Sequence, residues 1–194
     1  IKYDYGVDFG LFNNRITVNA DYFINDQNDI ILDRPTDPLV GIPDNFIRQN
    51  IGSSTNKGFE FGVNADVIKK ENFSWVVGGN VSFVKNEITG LVDDKDILFN
   101  IDSGRQQVGI IRVGESVRSL YGFEYWGVNA ANGNPVYYKA DGSLVQQDAM
   151  TGAVTVFNSA TPGTTGAASN LNSDDKKILG NTIPKYFGSF STTV

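Results

Sequence analysis

Hydrophobic and polar residues alternate with a period of two over much of the chain. From Tyr3 to Leu11, Tyr3, Tyr5, Val7, Phe9 and Leu11 share one parity, while Asp4, Gly6, Asp8 and Gly10 share the other. Successive side chains of an extended backbone face opposite sides, so this stretch predicts a strand with one apolar and one polar face. Asn13-Asn14 then supplies residues that tolerate the left-handed conformation of a tight hairpin turn. Beyond it Ile16, Val18, Ala20, Tyr22 and Ile24 alternate with Arg15, Thr17, Asn19, Asp21 and Asn25.

The same pattern returns twice. Between Asn50 and Val67, Phe59, Phe61, Val63, Ala65 and Val67 oppose Gly58, Glu60, Gly62, Asn64 and Asp66. After a short polar connection, Lys69 to Asn72, the residues Phe73, Trp75, Val77, Gly79, Val81 and Phe83 face away from Ser74, Gly78, Asn80 and Ser82, with Val76 and Val84 out of phase. The pattern predicts strands over 2–12, 15–25, 57–67, 73–85, 119–128 and 185–194. Alternation fails from Asp26 to Gln49, where Pro35, Pro38 and Pro43 appear, and again over 86–184; both are predicted as long loops. The fold class is therefore all-β and antiparallel.

Tight turns alternate with long loops, which is how outer-membrane barrels are built, with short periplasmic turns and long extracellular loops. By that parity Asn13-Asn14 and Lys69 to Asn72 are periplasmic and 26–49 lies outside. Val7, Phe9, Val18, Phe61, Val63, Val77 and Val81 are then lipid-facing, and Asp4, Asp8, Glu60, Asn64, Asp66 and Asn80 line a wet lumen. Tyr3, Tyr5, Tyr22, Phe73, Trp75 and Phe83 fall near the ends of the apolar faces, where an interfacial aromatic girdle belongs. A soluble β-sandwich uses the same residues as its inner faces, and local alternation does not separate the two. The glycine- and asparagine-rich opposite faces and the loop asymmetry favour lipid.

Composition narrows the chemistry. The 194 residues carry a formal net charge of −6, with no basic cluster of the kind nucleic acid requires. Histidine and cysteine are both absent, which removes Ser-His-Asp and Cys-His catalysis, thiolate metal sites and disulfides. A carboxylate enzyme has no paired motif in its favour, so neither an enzyme nor a cofactor is expected. No apolar run approaches the ~20 residues of a membrane helix, whereas a barrel strand needs only ~10. The chain begins inside a strand pattern at Ile1 and ends inside another at Val194, as a piece of a longer protein would.

Several ordered motifs resemble the C-terminal barrel half of SusC/RagA-type TonB-dependent outer-membrane transporters. They are Asn50-Ile51-Gly52 followed by Asn56-Lys57-Gly58-Phe59-Glu60; Asn80-Val81-Ser82-Phe83 with Lys85-Asn86-Glu87-Ile88; Val113-Gly114-Glu115-Ser116-Val117; Leu120 to Val128; and Gly180-Asn181-Thr182-Ile183-Pro184-Lys185-Tyr186. The resemblance implies a Bacteroidota-type, 22-stranded transmembrane barrel with a plugged lumen. It implies uptake of oligosaccharides, peptides or similar nutrients, with a SusD-like lipoprotein lid and energy from TonB-ExbB-ExbD acting through a plug and TonB box that this stretch does not contain. The alternative from a different class is a secreted or surface β-sandwich that binds carbohydrate.

Three groups carry candidate chemistry. Tyr121, Tyr125 and Trp126 offer flat rings with polar handles to an organic substrate or the lid; Phe123 reads as a strand-face residue. Asp93, Asp94 and Asp96 contain the oxygens a hard cation takes but lack the glycine turn and terminal Glu of a calcium loop, so they read as a solvated acidic loop and no metal is expected. Asp174-Asp175 with Lys176-Lys177 reads as a solvated surface pair, Asp141-Gly142 as a turn, and Ser159 to Ser173 as an exposed loop poor in apolar residues.

Overall fold

The computed structural model describes residues 1–99 and 107–194, and the part of the predicted 86–184 loop at 100–106 lies outside them. Two compact units emerge. The first comprises 1–98, 111–118 and 181–194; the second comprises 99–110 and 119–180. In chain order the strands are β1 (Lys2–Leu11), β2 (Ile16–Pro35), β3 (Phe46–Lys70), β4 (Phe73–Leu91), β5 (Ile97–Phe99), β6 (Gly109–Ile111), β7 (Ser119–Phe123), β8 (Tyr125–Val128), β9 (Pro135–Tyr138), β10 (Leu144–Gln147), β11 (Val154–Val156), β12 (Lys176–Asn181) and β13 (Tyr186–Thr193).

The first unit is a five-stranded antiparallel sheet in the order β1-β2-β3-β4-β13. Its register converts four separate alternations into continuous rows. Tyr5, Tyr22, Phe59, Phe83 and Tyr186 stand directly opposite one another across all the strands. The next row on the same face is Val7, Ala20, Phe61, Val81 and Gly188, followed by Phe9, Val18, Val63, Gly79 and Phe190, and then by Leu11, Ile16, Ala65, Val77 and Thr192. Among the described residues of this unit no second sheet covers that face: Tyr5 is 63% and Val7 55% exposed. A β-sandwich buries its apolar face against a partner sheet, so this geometry is not one.

Three boundaries differ from the sequence reading. The stretch 26–49 is mostly strand: β2 and β3 form a long hairpin that pairs up to Pro35 and Phe46. The register shifts between Gln27 and Ile30 and back between Ile30 and Ile31, and alternation is lost because Ile30-Ile31-Leu32 and Phe46-Ile47 are consecutive apolar residues while Asp33-Arg34 and Arg48-Gln49-Asn50 are consecutive polar ones. A bulge adds an unpaired residue; Asp29 sits there with a φ of 56°. The irregular part is only the tip, 36–45, where Asp37 caps a short turn through the Leu39 amide. The first hairpin turn is longer than Asn13-Asn14. Phe12, Asn13 and Asn14 all take positive φ, and Leu11 with Ile16 is the last pair. Finally, 86–184 is not one loop, since β4 continues to Leu91 and β5 to β12 follow, and 119–128 is two strands interrupted at Glu124.

The second unit contains a four-stranded meander, β11-β10-β9-β8, and a small sheet in which β7 lies between β6 and β12. Val136, Val145 and Ile110 are fully buried, and Phe157 nearly so. In the first unit Ile88, Leu91, Ile97 and Ile111 are buried, while the apolar rows of the sheet stay open. Among the described residues no helix is long and apolar enough to cross a membrane, which says nothing about crossing by strands.

Candidate functional site

The polar face of the five-stranded sheet gathers Asp4, Asp8, Glu60, Asn64, Asp66 and Asn80, because all have the same parity within strands whose register is continuous there. Asp21 stands opposite Glu60, and Asn19 opposite both Asp8 and Gly62. Asn80 donates through Nδ2 to Ser189 Oγ at 2.9 Å, and Ser82 Oγ donates to Glu60 at 3.4 Å. Asp21, Asn19 and Asn64 lie over Gly6, Gly62 and Gly78 respectively, each filling the space a Cβ would take. Glycine here lets a neighbouring polar side chain lie flat, which keeps this face low in relief. Val76 and Val84, the two out-of-phase residues, also fall on it, opposite Asp66 and Gly58.

The opposite face gathers Val7, Phe9, Val18, Phe61, Val63, Val77 and Val81 in the rows described above. Tyr3 lies one row beyond the ring row. Trp75 and Phe73 lie at the other end, where the Trp75 indole N–H donates to Thr192 Oγ1 at 2.8 Å.

Three of the sequence motifs meet at one point in the first unit. Asn86 Nδ2 donates to Asn56 Oδ1 at 2.7 Å, while Asn86 Oδ1 accepts from the Val117 amide at 2.8 Å and from Ser116 Oγ at 3.2 Å. Ile88 exchanges two backbone bonds with the same segment: its N–H donates to Glu115 O and its C=O accepts from the Gly114 amide, both at 2.8 Å. The edge of β4 therefore changes partner. It pairs with β13 up to Phe83 and with the Gly-Glu-Ser segment from Ile88. A recess of about 380 Å³ opens at this change, lined among others by Lys85, Asn86, Glu115, Asn181 and Lys185. The sequence reading recognised these motifs but not their meeting, because the residues lie far apart in the chain.

The aromatic candidates in the second unit do not share one pocket. Tyr121 is half-buried and its hydroxyl donates to Ser173 O at 3.4 Å. Tyr125 is 55% exposed and lies edge-on to Tyr137 at 5.9 Å, and Phe123 is also edge-on to Tyr137 at 6.2 Å. Trp126 packs instead on Phe157 at 5.5 Å. Tyr137 joined this cluster unannounced; Pro135-Val136-Tyr137-Tyr138 after the Asn-Gly-Asn turn was the available signal.

The acidic groups are structural. Asp175 is not a solvated surface residue: it is only 7% exposed, and its carboxylate accepts from the Ala140 amide at 3.0 Å and the Asn172 amide at 3.1 Å. These two backbone donors hold its carboxyl below the usual range. Lys177 pairs with Glu124, and Lys176 lies 5.6 Å from the centre of the Phe123 ring, so they are not free either. Asp141 and Asp148 are lowered by hydrogen bonds from Ser143 and from Thr151 within their own turns. Asp93 pairs with Arg34 at 3.3 Å, and Asp96 is gripped by the Arg112 guanidinium, the nearest contact being 2.6 Å. Among the described residues no cluster of three or more such side chains is placed to hold a metal ion.

Comparison with known proteins decides the family. The model of the TonB dependent receptor-like β-barrel matches residues 1–172. The chain belongs to the TonB-dependent receptor β-barrel family. It is 30% identical to TonB-dependent receptor P3 of Formosa agariphila over 97% of its length, and 30% identical to TonB-dependent receptor SusC of Bacteroides thetaiotaomicron over 68%. It covers 18% and 14% of those relatives, so it spans less than a fifth of their length. The structure of the RagAB peptide transporter superposes with a TM-score of 0.73 at 22% identity, covering 98% of this chain and 19% of that one; this likeness is one of fold. The chain is thus part of an outer-membrane β-barrel of SusC/RagA type, and its five-stranded sheet is open, as an arc of a larger barrel is.

Proposed function

We propose that this chain is barrel wall and external loop of a TonB-dependent importer that takes up oligosaccharides, peptides or similar nutrients under a SusD-like lipoprotein lid. The observation that carries this reading is the uncovered apolar face with its aligned rows, backed by a low, polar opposite face. In such a wall the apolar face meets lipid, and Asp4, Asp8, Glu60, Asn64, Asp66 and Asn80 solvate the lumen or bond to a plug. The turns at 12–15 and at Glu71-Asn72 are periplasmic, and the β2–β3 hairpin tip and the second unit are external. Tyr125 is the best placed of the aromatic candidates to touch substrate or lid, because it keeps an open ring face beside Tyr137. Energy comes from TonB-ExbB-ExbD through a plug. The RagAB peptide importer, similar in fold, supports a nutrient of peptide class.

The wall contributes shape and solvation, and no bond is made or broken by it. Uptake of labelled peptides and oligosaccharides by cells expressing the full-length protein tests the function. Import that disappears when TonB is deleted is the expected result. Import that persists without TonB, or no import of either class with the lid protein co-expressed, overturns it.

A further inference from the structure

On β3 and β4 the apolar face of the five-stranded sheet changes chemistry abruptly beyond its ring row, while Tyr3 and Ile24 keep the same row apolar on β1 and β2. The row after Tyr22, Phe59 and Phe83 contains Ile24, Lys57 and Lys85, with the two lysines directly opposite each other on β3 and β4. The row beyond that contains Asp26, Thr55 and Glu87, again directly opposed. Rings, ammonium groups and carboxylates therefore follow in that order along the sheet.

Opposed like charges on neighbouring strands destabilise a sheet unless an anion sits with them. Lys85 Nζ pairs with Glu87 at 2.6 Å, and the Asp26 carboxylate is occupied in part by Thr55 Oγ1 at 2.7 Å. Glu87 also feels the charge of Lys57, and both lysines are exposed. The carboxylates stand on the far side of the lysines from the rings, so the side towards the apolar band is open to a further anion. A lysine stem lies along apolar surface while its ammonium reaches the polar boundary, and rings of this kind sit at head-group depth.

We propose that Lys57 and Lys85 hold the phosphate of an outer-leaflet lipid, whose acyl chains lie over the Tyr22, Phe59 and Phe83 rings, and that this pair marks the outer edge of the membrane on the barrel. The proposal rests on the reading of this face as lipid-facing. A lipid phosphate fits where a free phosphate does not, because the ring row directly below offers apolar contact that a free ion cannot use. The charge order also matters. With carboxylates next to the rings an anionic head group would be repelled, and here they stand one row further towards water.

The test uses the full-length transporter in phosphatidylcholine nanodiscs that carry a small fraction of spin-labelled phosphatidic acid or, in parallel, spin-labelled phosphatidylcholine. The protein-bound fraction of each label gives the preference for the anionic lipid. Lys57→Gln with Lys85→Gln lowers that preference, roughly fivefold for each lysine that faces a phosphate, and Lys57→Arg with Lys85→Arg retains it. Displacement of the labelled phosphatidic acid by millimolar inorganic phosphate would overturn the assignment to lipid. A nitroxide on Val81→Cys, relaxed by oxygen in lipid and by a nickel chelate in water, separates the two levels. If Val81 reports lipid but the glutamine pair leaves the preference unchanged, the lysine proposal falls alone; if Val81 reports water, the lipid-facing reading falls with it.

Discussion

The two units use the same residue types in inverted ways. In the five-stranded sheet the largest apolar side chains are on the outside, and Tyr5, Val7, Phe9, Phe61 and Phe83 are all exposed. In the second unit the apolar residues Val136, Val145, Ile110 and Phe157 are inside, and polar residues accompany them. Asn129 is fully buried there; its Nδ2 donates to Gln146 Oε1 at 2.7 Å and to Pro162 O at 2.9 Å, and its Oδ1 accepts from the Ala131 amide. Gln146 is also buried and bonds to Asn132 and Thr155. One unit leaves the apolar rows of its sheet uncovered and, among its described apolar residues, buries only Ile88, Leu91, Ile97 and Ile111. The other supplies its own dry core and satisfies its polar groups internally.

The strongest way to break this contrast is a charge on the uncovered face. Val63→Arg in the full-length protein is expected to cost about 2–4 kcal/mol if the residue lies near the bilayer midplane. The folded, heat-modifiable species on a gel should then be depleted, whereas Asp8→Lys on the opposite face should leave it largely intact. Equal damage from both would refute the assignment of faces.

Close approach within the sheet gives the next effect. A Cβ on Gly58 meets the Phe83 carbonyl oxygen, which is backbone, whereas one on Gly6 meets the Asp21 carboxylate, which can rotate away. Gly58→Ala should therefore destabilise by about 1–3 kcal/mol and Gly6→Ala by clearly less, read from the urea midpoint of the full-length protein in detergent. The reverse order would show that the Asp21 position is the more rigid.

In the second unit, Asn129→Ala leaves the Pro162 carbonyl without this partner and should cost about 1–3 kcal/mol. Its local signature is faster hydrogen exchange over 158–168, with the β1–β2 hairpin amides unchanged. A uniform rise in exchange across both units would show that the effect is not local to the Asn129 bonds.

The smallest effect is acidic. The lowered carboxyl of Asp175 contributes stability above the pKa of the unfolded chain, and this contribution is lost as pH falls through the folded value. Pepsin should therefore nick the 139–142 and 172–176 turns increasingly as pH is lowered below the ordinary Asp range, and Asp175→Asn should flatten that dependence. A wild-type profile already flat would mean that the Ala140 and Asn172 bonds contribute nothing.

Much of the wall was legible because period-two alternation is a local property. Tyr3 to Leu11 and Phe59 to Val67 each declare two faces without reference to any other strand. The length of the β2–β3 hairpin was not legible, because beyond Gln27 and before Gly52 neither strand alternates, Ile30-Ile31-Leu32 and Arg48-Gln49-Asn50 being runs of one kind that only cross-strand pairing identifies as strand. Asp175 looked like an exposed charge because its partners, Ala140 and Asn172, are backbone amides, and any residue but proline carries the same amide. Tyr125 stood out by ring type, yet its exposure and the separation of Trp126 from it depend on which face of β8 each occupies.

Alternation, turn residues and motif order by themselves determined that this chain makes antiparallel strands with one apolar and one polar face, and which family they resemble, since these are properties of neighbouring residues. Tertiary structure alone decided the register. It aligned Tyr5, Tyr22, Phe59, Phe83 and Tyr186 into one row, set Lys57 against Lys85, and brought Asn56, Asn86 and Ser116 together. The physical reason is that register depends on hydrogen bonds and bulges between segments distant in the chain, and a shift of one residue exchanges every face.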